Sequence, residues 1–256
     1  MKIASFNING IKARLPALLE WLKESKPDIV ALQEIKSLDE TFPKLELESL
    51  GYNIIINGQK SFNGVAILSK FPIGYYTSGL PFNQHDDQAR WIEAEIEGVK
   101  ICCLYLPNGN PLPGPKYDYK LNWMEAFFKH AENLINSEEA VIMLGDYNVI
   151  PQKEDAENPE YWEADALFDL KVRSLFQKIL NLGFTDALRV TNQNNGAYTF
   201  WDYQGSAWRR NNGIRIDHIL LSPAAADLLI ECSIDNYIRG REKPSDHVPI
   251  WVKLKS

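Results

Sequence analysis

Val141-Ile142-Met143-Leu144-Gly145-Asp146-Tyr147-Asn148 is an apolar run of strand length that ends on a carboxylate and, two residues later, an amide. Short apolar runs of this kind read as buried strands. Gly145 permits a backbone turn directly after the strand, and Asp146 and Asn148 point the same way if the strand continues. The same punctuation recurs along the chain. Ile3-Ala4-Ser5-Phe6 gives way to Asn7, and Ile29-Val30-Ala31-Leu32 to Gln33-Glu34. Ile214-Arg215-Ile216 leads into Asp217-His218, and Lys243-Pro244-Ser245 into Asp246-His247, with Val248-Pro249-Ile250-Trp251 behind. Strand ends converging on one rim of a sheet would gather an oxygen-rich set of carboxylates and amides around one proton-active imidazole. That chemistry suits Mg²⁺-assisted cleavage of a phosphate ester.

Working outward from these ends, Leu15, Leu18, Leu19 and Leu22 fall at i, i+3, i+4 and i+7, so residues 14–25 read as an amphipathic helix with Pro16 in its first turn. Residues 51–58 and 64–68 read as strands, and Trp91 to Glu97 alternates apolar and acidic residues as a strand with one wet face should. A further strand runs from Val99 to Leu106 after a turn at Gly98. Residues 117–135 carry a helical apolar face, and Val172, Leu175, Phe176, Ile179 and Leu180 mark another helix that stops at Gly183. Ser222-Pro223 starts a short helix through about Leu229. Strict βαβ alternation is absent, so two mixed, mainly antiparallel sheets covered by helices fit better than a doubly wound fold. The long irregular stretches are 107–118 and 151–170, and long loops in a compact domain are often functional.

No Pro/Gly/Ser-rich or charge-rich linker interrupts the 256 residues, which predicts a single domain over 1–256. No signal-peptide pattern opens the chain, and no apolar run approaches the roughly 20 residues a membrane helix needs. The expectation is an intracellular, cytoplasmic protein with no membrane partner, and a monomer, since no coiled-coil or dimer stripe is visible. Cys102, Cys103 and Cys232 form no ligand motif and read as reduced, buried thiols. A net charge of −7 argues against a protein that coats DNA with a basic field. It leaves a nuclease open, because metal-site carboxylates supply part of that charge and a local basic rim can grip phosphates. Arg209-Arg210 beside Trp208, then Arg215, make one such stretch, and Arg239, Arg241 and Lys243 another.

Each strand end has its own chemistry. Glu34 closes an apolar strand and belongs near the rim, because a buried unpaired carboxylate is costly. Asp146 can take a proton from an attacking water, and Asn148 can hold that water or donate to a phosphate oxygen. His247 paired with a carboxylate would have a fixed tautomer and a raised tendency to hold its proton, which stabilises negative charge at a scissile phosphate. Asp217 is the natural partner, but local sequence does not choose between His247 and His218. Tyr105 can offer a phenol to a phosphate oxygen.

Phe6-Asn7-Ile8-Asn9-Gly10, Leu32-Gln33-Glu34, Tyr105-Leu106-Pro107-Asn108-Gly109, Gly145-Asp146-Tyr147-Asn148, Arg215-Ile216-Asp217 and Pro244-Ser245-Asp246-His247 stand in this order over essentially the whole chain. In this the sequence resembles the exonuclease III-type apurinic/apyrimidinic (AP) endonucleases. The resemblance implies a four-layered α/β sandwich and Mg²⁺-dependent DNA repair, with Mn²⁺ as a substitute ion. The implied activities are AP-site incision, 3′→5′ exonuclease and 3′-end cleaning on double-stranded DNA with abasic sites or damaged 3′ ends. Residue by residue, it implies Glu34 as main metal ligand with Asn7 beside it and Asp246 as a second carboxylate. It implies Asp146 as the residue that activates water, Asn148 as transition-state stabiliser, and Asp217 as the group that orients His247. Tyr105 and Asn108 would contact phosphate. Phe200, Trp201, Ile214 and Ile216 match the wall of a sugar pocket, with Trp208, Arg209 and Arg215 as further DNA contacts. One position departs from the pattern. Where many relatives that cut at internal abasic sites have a small residue, this chain has Leu167, followed by Phe168 and Arg173 but without the Pro-containing run between them. A leucine there can fill the space an extrahelical abasic sugar needs, so the expectation is retained 3′-end processing with weakened AP incision.

Overall fold

A computed structural model describes residues 1–192 and 196–255. Its elements run β1 (Lys2–Asn7), α1 (Ile11–Ser25), β2 (Ile29–Gln33), α2 (Lys44–Glu48), β3 (Asn53–Asn57), β4 (Val65–Ser69), β5 (Tyr76–Ser78), β6 (Trp91–Ile96), β7 (Val99–Tyr105), α3 (Pro115–Asn136), β8 (Ala140–Asp146), α4 (Leu170–Asn181), β9 (Thr185–Asp186), α5 (Ala187–Thr191), β10 (Asp217–Leu221), α6 (Pro223–Ala226), β11 (Leu229–Ile234) and β12 (Ile250–Leu254). They form two six-stranded sheets, ordered β11-β12-β1-β2-β4-β3 and β5-β6-β7-β8-β10-β9. Each holds one parallel pair, β1 with β2 and β7 with β8, among antiparallel neighbours.

Strand periodicity divides the core into layers. Ile3, Ile29 and Ala31 of one sheet meet Ile101, Cys103, Ile142, Leu144, Ile219 and Leu221 of the other between the sheets. The intervening residues Ala4, Val30 and Leu32 face α1. Cys102, Leu104, Val141, Met143 and Leu220 face α3 and α4. Helices outside, sheets inside, four layers deep: this is the expected α/β sandwich. Each aliphatic side chain buried between the sheets contributes about 2 kcal/mol. The same period of two continues to the strand tips. Asn7, Tyr105, Asp146 and Asp217 occupy the positions that face the inter-sheet layer, so they line its open end.

Several boundaries differ from the sequence reading. Helix α1 starts at Ile11, so Pro16 stands inside it rather than in its first turn. Ile214 makes only isolated bridges to Ala156 and Phe200, and the strand begins at Asp217 instead of ending there. Helix α6 is short, and the chain from Leu229 forms β11, paired with β12. Gly145 lies within β8; a Cβ there would fall 1.9 Å from the Leu104 carbonyl oxygen, so its role is close strand approach and not a turn. The three cysteines are free and buried. No described helix is long and apolar enough to cross a membrane.

Candidate active site

The candidate residues meet on one rim because the parallel strands end there and the antiparallel ones begin there. Asn7 and Gln33 pair at the tips of β1 and β2, and Glu34 follows directly. Tyr105 pairs with Asp146 across β7 and β8, and Asp146 with Asp217 across β8 and β10. His247 lies just before β12, whose Ile250 pairs with Ser5. Two turns aim the side chains: Glu34 and Asn148 adopt left-handed backbone angles, φ 48° and 47°. Such values are uncommon outside glycine and cluster at functional sites.

Hydrogen bonds knit the sheets together. The Asn7 amide nitrogen donates to Glu34 Oε1 and to Asp146 Oδ2, each at 2.9 Å. His247 Nδ1 stands 2.8 Å from Asp217 Oδ2, and its Nε2 is 3.7 Å from Asp146 Oδ2. Ser245 Oγ donates to the Asn7 carbonyl at 2.8 Å and accepts from the His247 amide at 3.2 Å, which fixes the histidine loop on β1. The Asn148 amide donates to Asp146 Oδ1 at 2.9 Å. Asp246 lies outside this group. Its Oδ1 accepts from Asn9 at 2.9 Å, Asn9 Oδ1 accepts from Lys36 at 2.6 Å, and Lys36 pairs with Glu34 at 2.9 Å.

Burial and charge set the protonation states. Burial disfavours an imidazolium, but Asp217 and Asp146 outweigh it and hold the His247 proton well above the ordinary range. Nδ1 therefore donates to Asp217, and Nε2–H points toward Asp146. Asp146 is pushed upward by burial and by the carboxylates of Asp217 and Glu34, against the opposing pull of His247. Glu34 also feels burial, but Lys36 and the Asn7 amide hold it below the usual carboxylate range. Tyr105 is raised by burial, Glu34 and Asp146, and so presents a neutral phenol. His218 is the opposite of His247: buried beside Arg215, it is pushed down to about 4. Its ring meets Tyr147 and Phe176, and its Nε2 lies 2.9 Å from the Val149 carbonyl. Local sequence left the two histidines open and the resemblance implied His247; the structure gives Asp217 to His247.

Ligand atoms of Glu34, Asp146 and His247 lie within 4.8 Å of one another. A protonated His247 is a donor and not a ligand, which leaves carboxylate oxygens, the donor set of a hard cation such as Mg²⁺ or Mn²⁺. The upward push on Asp146 shows the same need for positive charge. These residues fit a divalent ion. Asn7 faces the carboxylates with its nitrogen, and coordination would require its side-chain oxygen to turn inward.

The proposed DNA contacts separate into two groups. Leu167, 3% exposed, packs with Ile150, Ala156, Phe168, Ile214 and Ile216, and with half-buried Phe200. The Phe200 ring in turn meets His247 edge-on at 5.0 Å, so Leu167 closes an apolar wall beside the site. Arg173 lies over the Phe168 ring. Asn108 is exposed and donates to Asn148 Oδ1 at 3.3 Å. Trp208 is half-buried and Arg209 exposed on the loop beyond the site. Trp201 and Arg215 are not surface contacts. Trp201 is buried in a separate cluster against Tyr198 and Trp208. Arg215 is 1% exposed and saturated by Asp155 at 2.6 Å and Asp186 at 2.8 Å, because a buried guanidinium must be paired. Arg239 is likewise buried on the Trp201 carbonyl, and Arg241 pairs with Glu20 and Glu24. The sequence reading missed Lys36, Asn9 and Lys120. Lys120 had a signal, since it shares the helical stripe of Met124, Phe127 and Ala131, where a charge is out of place.

Residues 4–247 match the Endonuclease/Exonuclease/phosphatase family. Exodeoxyribonuclease III from Haemophilus influenzae is 33% identical, and the two chains cover each other fully. Among solved structures, the 3′ phosphatase NExo from Neisseria, bound to a product DNA hairpin, is 36% identical with a TM-score of 0.97 over the whole of both chains. An AP endonuclease from Archaeoglobus fulgidus is also 36% identical over both whole chains, with a TM-score of 0.96.

Proposed function

The chain belongs to the endonuclease/exonuclease/phosphatase family, and we propose that within it this protein is a Mg²⁺-dependent DNA repair nuclease of the exonuclease III type. Its main work would be at 3′ ends, by exonuclease and end-cleaning cleavage, with incision at internal abasic sites weak. The observation that carries the reading is the Asp146–His247–Asp217 constellation beside Glu34 and Asn7, which joins a buried base to a held imidazolium.

Glu34 would hold the metal with Asn7, and Asp246 would reinforce that side of the site through Asn9 and Lys36. When bound, the ion supplies Lewis-acid stabilisation of charge on the phosphate oxygens. Asp146 takes the proton of the attacking water as general base. His247 Nε2–H donates to a phosphate oxygen as charge develops there. Asp217 fixes the tautomer and the ring. The Tyr105 phenol and the Asn148 and Asn108 amides donate to the remaining oxygens. All these groups come from one chain, which supports a monomeric enzyme formed by a single domain.

Leu167 supports the preference for 3′ ends. A flipped abasic sugar needs open space beside Phe200, and Leu167 fills that space with Ile214 and Ile216. The test uses two labelled duplexes, one with an internal abasic-site analogue and one with a recessed 3′ end, each with Mg²⁺ or EDTA. The parent should trim the 3′ end in Mg²⁺ alone and leave the internal site largely intact. Leu167→Gly should gain internal incision by about 10-fold or more, the scale on which a pocket discriminates by size. No gain in a folded variant would refute the size argument, and no cleavage of either duplex would favour a phosphoesterase of the same fold acting elsewhere.

A further inference from the structure

Lys120 is wholly buried in the second turn of α3, between the helix and the rim loops. Its ammonium donates to the Asn108 carbonyl at 3.0 Å and to the Asn148 carbonyl at 2.6 Å. The two residues it grips also bond to each other, Asn108 Nδ2 to Asn148 Oδ1 at 3.3 Å. Asn148 further donates to the Leu106 carbonyl at 2.8 Å. Room for the lysine has been left on purpose of geometry: a Cβ on Gly109 would fall 2.6 Å from the Lys120 Cδ, and Gly109 has φ +91°. Around it, Tyr117, Trp123, Met124 and Phe127 make the rest of the α3 face apolar.

A buried ammonium is an expensive way to fill an apolar stripe, and a methionine of similar length would stabilise the fold more cheaply. What a lysine adds is N–H donation to two carbonyls at once, at 3.0 Å and 2.6 Å. Those carbonyls belong to two different loops, one after β7 and one after β8. We infer that Lys120 is a positioning residue for the hydrolytic reaction. It fastens the backbone of both loops to α3, so that the Asn108 and Asn148 side chains stay aimed at the scissile phosphate. The inference rests on the reading that Asn148 serves the reaction. Burial pulls the Lys120 pKa down to about 7 against the opposing pull of Asp146, Asp165 and Asp169, and the amine keeps N–H donors for both carbonyls in either protonation state.

Steady-state cleavage of a recessed 3′ end in Mg²⁺ would be compared for the parent, Lys120→Met, Asn148→Ala and the double variant, with folding checked by circular dichroism and thermal melting. Lys120→Met should lower kcat at least roughly 10-fold while KM stays within about 3-fold, and should deepen the Asn148→Ala loss by less than about 3-fold. A folded Lys120→Met with kcat near the parent's overturns the inference, and so do losses that multiply in the double variant. An Asn148→Ala protein with full activity refutes the role given to Asn148, and the inference with it. Should Lys120→Met not fold, Lys120→Gln, which keeps a donor for one carbonyl, is read by the same criteria. Failure of both to fold would make the lysine a folding requirement and overturn the inference.

Discussion

Two Asp-His dipeptides stand 29 residues apart in this chain, and the site takes the aspartate of one and the histidine of the other. Asp217 and His218 are neighbours in β10, so they face opposite sides of the sheet. Asp217 looks into the inter-sheet layer toward His247, whereas His218 looks toward the helices, against Tyr147 and Phe176. Both imidazoles are buried, and burial alone would strip the proton from each. The neighbours decide: carboxylates hold the proton on His247, and Arg215 helps expel it from His218. Identical dipeptides thus yield one imidazole held cationic among the rim carboxylates and one neutral imidazole packed into the fold.

Exchange of roles is the way to break this contrast. The largest effect should come from His247→Ala, with turnover on a recessed 3′ end falling about 10³-fold, the scale of a lost donor at developing charge. His218→Ala, assayed below its melting temperature, should keep turnover within about 3-fold of the parent. Comparable losses in two folded variants would erase the distinction. Next in size, Asp217→Asn should cost about 10²-fold, because the ring loses its orienting anion. It should also move the alkaline limb of the pH–rate profile to lower pH, since Asp217 is the main charge that holds the His247 proton. An unmoved limb would assign that limb to another group.

The smallest effect lies in stability. His218 has its folded pKa pushed down to about 4, below the ordinary value of 6.5. Between those values the unfolded chain binds the proton and the folded chain does not. The stabilisation is therefore complete above about pH 6.5 and is lost as pH falls toward 4. By that linkage the parent should lose about 2 kcal/mol between pH 7 and pH 5 that His218→Gln does not lose. Urea denaturation of both proteins at the two pH values measures it, and parallel losses would show that the fold does not shift His218 from its unfolded value.

The rim of carboxylates was legible in the sequence because strand-length apolar runs announce where strands stop or start: Glu34, Asp146 and Asp217 follow such runs, and His247 stands just before one. Which sheet face each residue takes was less so. Asp217 reads as the end of a run but is the start of β10, and its partner His247 is fixed only by contacts between sheets. Arg215 shows the other limit: an arginine beside an active-site aspartate looks like a phosphate contact until Asp155 and Asp186, distant in sequence, close around it. Lys36 escaped notice because its value comes from partners on other elements, which no local pattern displays; the apolar stripe around Lys120 marks it as buried but does not show the two loop carbonyls it grips.

The catalytic rim is shared between two separately hydrogen-bonded sheets. Asn7, Glu34 and His247 belong to one; Tyr105, Asp146 and Asp217 belong to the other. The bonds that assemble the site, Asn7 to Asp146 and His247 to Asp217, all cross between them. Either sheet alone carries half of the site. The site therefore exists only where the two sheets are docked on each other, and anything that loosens that packing disarms the enzyme before it unfolds either sheet.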